Sequence, residues 1–121
     1  MIDRKHNVIL KVNGEDVGFR FTTWALKQTI TRCGLKGVTE LYSSLGSNDM
    51  DTWIALILEA RREFIYSETK KEVDISMRDA AELIDSVGGL MTVMNEMASA
   101  VQGHTPKNQP APQMEGQQSS Q

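Results

Sequence analysis

The strongest constraint on this chain is the stretch 48–67, NDMDTWIALILEARREFIYS, which lies inside its longest interval free of glycine and proline. With successive side chains turned by about 100°, Met50, Trp53, Ile54, Ile57, Leu58, Phe64 and Ile65 share one stripe. Asp51, Ala55, Glu59, Arg62, Glu63 and Tyr66 fall opposite. The pattern predicts a long helix over 48–67, capped by Ser47 or Asn48, with Asp49 and Asp51 at the positive end of its dipole. Arg61 interrupts the apolar stripe. An arginine there either runs its stem along the apolar face toward water or meets an acid from a neighbouring helix. The sharper reading is an anchor for a partner protein, since arginine is enriched at interface hot spots.

The remaining elements follow from local chemistry. Residues 8–21 read as a β-hairpin: Val8, Leu10 and Val12 alternate with Ile9 and Lys11, Asn13-Gly14 tolerates the positive φ of a tight turn, and Val17, Phe19 and Phe21 form one face. A lone hairpin is marginal in water, so its apolar face must pack on helices. A helix over 23–33 starts at Thr22 or Thr23, takes Trp24, Leu26 and Ile30 as its apolar residues, and stops at Gly34. A short helix over 38–45 turns Leu41, Tyr42 and Leu45 inward. After the long helix, ETKKEVD is a charged connection. Ser76 with Asp79 resembles a capping box for a helix over 76–87, whose apolar side is Met77, Ala80, Ala81, Leu83, Ile84 and Val87. Gly88-Gly89 separates it from a helix over 90–102 with the stripe Leu90, Met91, Val93, Met94, Met97, Ala98 and Val101. The fold class is α+β, mostly α: an N-terminal β-hairpin packed on a bundle of about five helices, forming one domain over 1–102. Residues 103–121 hold all three prolines and are glutamine-rich; such a segment buries too little surface to offset ordering and reads as a disordered tail.

Composition narrows the function. A formal charge of −3 and a pI near 5.3 argue against nucleic acid as a partner held by phosphate neutralisation. No apolar run reaches the length of a membrane span, so no membrane partner is expected. A single cysteine forms no internal disulfide and fits a reducing compartment. His6 and His104 lack ligand-type neighbours at metal-binding spacing, so no metal, cofactor or catalytic residue is assigned. Cys33 reads as a small buried apolar residue rather than a nucleophile. Gly34-Leu35-Lys36-Gly37 lacks the spacing of a phosphate loop, and Asp79, Glu82 and Asp85 read as a solvated helix face. The methionines of the last helix read first as core filling and second as an adaptable binding surface. On the second reading, the partner-binding residues are Arg61, Leu90, Met91, Met94, Met97 and Val101.

The order of parts carries a resemblance. VILKVNGEDVGFRFTTWAL opens the chain, two short helices follow, SNDMDTWIALILEA starts the long helix, and VDISMRDAAELIDSVG precedes the last helix. Over residues 7–102 this resembles the tail assembly chaperones of long-tailed bacteriophages, whose members begin with a strand, an Asn-Gly turn and a second strand and then turn helical. The resemblance implies a non-enzymatic protein that binds the helical tape measure protein, and also tail tube subunits, before the tube polymerises. It implies a place in the host cytoplasm and absence from the mature virion. A helical client suits a helix-in-groove mode, and self-association through the same stripes would let many copies coat one client. Two other functions compete: a structural head–tail or tail completion protein of the virion, and a helix-turn-helix regulator built on 24–45. The latter is disfavoured by the acidic charge.

Overall fold

The structure, a computed structural model, describes residues 7–102, with side chains through Ala98. Strands β1 (Asn7–Val12) and β2 (Glu15–Arg20) pair antiparallel, with Val8 opposite Phe19 and Leu10 opposite Val17. Asn13 and Gly14 close the pair at φ 52° and 84°, the primed-turn geometry that matches strand twist. The ladder ends at Arg20, so Phe21 lies beyond the strand, yet it is buried.

Helix α1 (Thr23–Cys33) begins where the Thr22 hydroxyl accepts from the Ala25 amide at 3.1 Å, and stops at Gly34, whose φ of 69° suits a residue without Cβ. Helix α2 (Val38–Gly46) buries Leu41, Tyr42 and Leu45 as the spacing predicts. Helix α3 (Met50–Thr69) is capped by Asp49, one residue after the expected caps; its carboxylate accepts from the Thr52 amide at 3.0 Å. The Ser76 hydroxyl accepts from the Asp79 amide at 2.9 Å and starts α4 (Met77–Ser86). Gly88 and Gly89, at φ 117° and 99°, then turn the chain into α5 (Leu90–Gln102).

Helix α3 is the hub: α1, α2, α4 and β2 all pack on it. Packing from several sides extends burial beyond the apolar stripe. Thr52, Trp53 and every residue from Ala55 to Ala60 are buried, including Ala55 and Glu59 from the side opposite the stripe. Two apolar expectations fail. Trp24 is 49% exposed, because α1 presents Ala25, Leu26 and Thr29 to α3 instead, and Met50 stands exposed at the first turn of α3. The core joins Val8, Phe19 and Phe21 of the hairpin segment to Leu41, Leu45, Trp53, Leu56 and Ile57, with Ile84, Val93, Met94 and Met97 closing the far side. Trp53 satisfies its one polar atom by donating Nε1–H to the Leu45 carbonyl at 3.0 Å. The expected disordered tail, 103–121, lies outside the described residues.

Candidate functional site

The six residues read as a partner-binding set do not form one exposed surface. Met94 and Met97 are 1% and 0% exposed and belong to the core, so for these two the core-filling reading of the last helix holds and the binding-surface reading does not. The physical reason is that β1 and α4 both lie against α5, and the flexible thioether side chains join the core shared with the hairpin and α3. Leu90 is half-buried against the same core. Met91 alone of the described helix residues in the set stands out, at 60% exposed. The side chain of Val101 lies outside the described part.

Among the described residues Arg61 meets no acid. Its Nη1 donates to the Gly18 carbonyl at 2.8 Å, and its guanidinium lies 5.7 Å from the centroid of the Phe64 ring. Burial lowers its pKa from the ordinary arginine value, but a guanidinium keeps its charge in any protein interior of this kind. Gly18 is buried against Phe64, and a Cβ at 18 would fall within 3.0 Å of three ring carbons. Gly18, Arg61 and Phe64 are therefore one joint between hairpin and hub, and Arg61 acts as a tie rather than as an exposed anchor.

The buried acid lies elsewhere. Glu59, 3% exposed, receives Arg32 Nη2 at 2.9 Å on one carboxylate oxygen and Arg62 Nη1 at 3.2 Å on the other. Arg62 also donates Nε–H to the Val73 carbonyl at 2.7 Å, so it fastens the connection between α3 and α4. Two cations and charge-assisted hydrogen bonds are what a carboxylate needs to leave water.

A cleft of about 690 Å³ opens where the end of α1, the start of α3 and the start of α4 converge. Arg32, Cys33, Ser44, Asp49, Asp51 and Thr52 line it, with Leu35 and Met77 as apolar walls. The Thr52 hydroxyl donates to Asp49 Oδ2 at 2.7 Å and lies 2.7 Å from Ser44 Oγ. A hydroxyl has one proton, so Ser44 is the donor to Thr52. Burial pushes the Cys33 thiol above its ordinary value; Asp49 and Asp51 push the same way, while the Thr52 hydrogen bond and Arg32 pull it down. The net direction keeps the thiol protonated and poorly nucleophilic. The cleft thus holds a tightly hydrogen-bonded cap rather than an activated group. Sequence reading missed it because its walls come from separate elements; the visible signal was a cysteine at the end of α1 and paired acids at the start of α3.

Among the described residues, Trp24, Met50, Tyr66 and Met91 are the exposed large apolar side chains. Trp24 and Tyr66 each carry a lysine over the ring, Lys27 at 5.1 Å and Lys70 at 5.5 Å. Among the described residues no cluster of acids, histidines or cysteines could hold a metal ion, and no helix is long and apolar enough to cross a membrane. No family model, curated protein or solved structure matches this chain.

Proposed function

We propose that the chain is a phage tail assembly chaperone that binds the tape measure protein, with tail tube subunits as a further partner, and that it works in the host cytoplasm without entering the virion. The observation that supports this reading is architectural. A tight Asn-Gly hairpin leads into an otherwise all-helical domain, in the order that the resemblance implies. The chemistry asked of such a protein is recognition, and exposed methionine is an adaptable contact for a helical client. With Met94 and Met97 in the core, the client-binding edge centres on Met91 and the adjoining half-buried Leu90.

The test is co-expression with the tape measure protein of the same genome. The expected result is that the two copurify and that Met91→Asp, a change at an exposed position, releases the client while leaving the helical content intact. Failure of the unaltered chain to copurify overturns the reading. Mass spectrometry of purified particles separates a chaperone from a structural component: the chain should be missing, and its presence in stoichiometric amount would assign it to the virion.

A further inference from the structure

The stripes of α4 and α5 keep one register across the turn that separates them. Counting in sevens from Met77, the positions 77, 84, 91 and 98 hold Met77, Ile84, Met91 and Ala98. Three residues after each come Ala80, Val87, Met94 and Val101, and the adjoining file holds Leu83, Leu90 and Met97. Every place on this seam is apolar, while Asp79, Glu82, Asp85 and Glu96 fall outside it. A repeat of this kind makes one continuous helix able to pair along its length. In the observed fold the register is not used. Gly88 and Gly89 bend the chain, α5 buries Val93, Met94 and Met97 against the core, and Met91, on the seam, is left 60% exposed.

We propose that α4 and α5 open at Gly88–Gly89 into one straight helix, and that its apolar stripe from Val87 onward, past Ala80 and Ile84, which stay buried where α4 packs on α3, pairs with the same stripe of a second copy of this chain. The choice of a second copy rests on charge. The positions flanking the seam are Ala81, Gly88, Asn95 and Gln102 on one side and Leu83, Leu90 and Met97 on the other. These are where paired helices normally place the charges that select or repel partners. Here they carry none, so two identical helices meet without opposing charge, and a partner with charged flanks would find no complement. Opening uncovers the core beneath α5, and two glycines disfavour a straight helix. Both effects hold the dilute chain in its bent form. Pairing returns Met94 and Met97 to an apolar contact and adds Met91. The proposal is independent of the client reading, because it concerns the isolated chain.

The test uses the full chain with Cys33→Ser and spin labels at Glu82→Cys and Glu96→Cys. A straight helix sets the backbone sites about 21 Å apart, and a bend makes the distance shorter. Gly88→Ala with Gly89→Ala removes the helix penalty and strains the bent form at two positive φ angles, a combined shift of about a thousand-fold toward opening. The double variant should be a dimer by light scattering at concentrations where the parent is a monomer, with the long distance, and adding Met91→Glu should restore the monomer. A folded double variant that stays monomeric with the short distance, or a dimer indifferent to Met91→Glu, overturns the proposal. Should the double variant fail to fold, the parent chain decides: a 21 Å population that grows with concentration and vanishes with Met91→Glu supports it, and an unchanging distance distribution overturns it.

Discussion

Gly18→Ala isolates the joint between hairpin and hub in a single methyl group. The φ of this glycine lies outside the left-handed region, so alanine fits its backbone and the cost is steric. The added carbon falls within 3.0 Å of three carbons of the Phe64 ring, where ordinary contacts begin near 3.5 Å. The ring must retreat, and because Phe64 is half-buried it can swing toward water. That motion gives up part of its buried area, about 1–2 kcal/mol, and the contact with Arg61, about 0.5–1 kcal/mol. The expected loss is therefore about 2–3 kcal/mol by urea unfolding, within the range for overpacking. For a domain of about a hundred ordered residues this lowers Tm by roughly 10–20 °C. Phe64→Ala removes the obstacle, so in that background Gly18→Ala should cost under about 0.5 kcal/mol, a coupling that only contacting residues show. An equal cost of Gly18→Ala with and without the ring would refute the steric argument.

Two further outcomes follow from the buried polar groups. Glu59→Ala leaves Arg32 and Arg62 without their shared carboxylate and should cost about 3 kcal/mol, tempered because Arg32 is about one-third exposed and can turn to water; Glu59→Gln keeps an acceptor and should cost about half as much. Denaturant melts of both variants check this, and a Glu59→Ala loss no larger than that of Glu59→Gln would contradict it. Cys33 holds its proton more tightly in the folded chain than in the unfolded one. Its contribution to stability is thus complete below the ordinary thiol range and lost as pH rises through the folded value. Alkylation rates against pH should show a midpoint above that of the urea-unfolded chain; a midpoint at or below it would show an activated thiol.

What could be read from the residues, and what could not, divides along the range of the chemistry. Asn13-Gly14, Gly34, Ser76 and Gly88-Gly89 act on their immediate neighbours, and each ends or starts an element where its local preference says. Helix α3 shows the limit. Its apolar stripe was legible, but Ala55 and Glu59 are buried because α1 lies across them, and the cation that makes burial of Glu59 tolerable, Arg32, comes from another helix. The same holds for Arg61, whose partner is a strand carbonyl that no spacing rule reveals. The candidate partner surface was the least legible. An apolar stripe looks alike whether it faces a core or a partner, and only the packing of β1 and α4 against α5 decides that Met94 and Met97 are core.

The central position of α3 has a consequence for synthesis. The hairpin leaves the ribosome before the helices, but a two-stranded ribbon is marginal alone, and the side chains that shelter Val8, Phe19 and Phe21 arrive with residues of the hub and of α5. The nascent chain must therefore carry Phe19 and Phe21 bare until α3 has been made and incompletely covered until α5 follows, and translation speed across that interval governs how long they stay so.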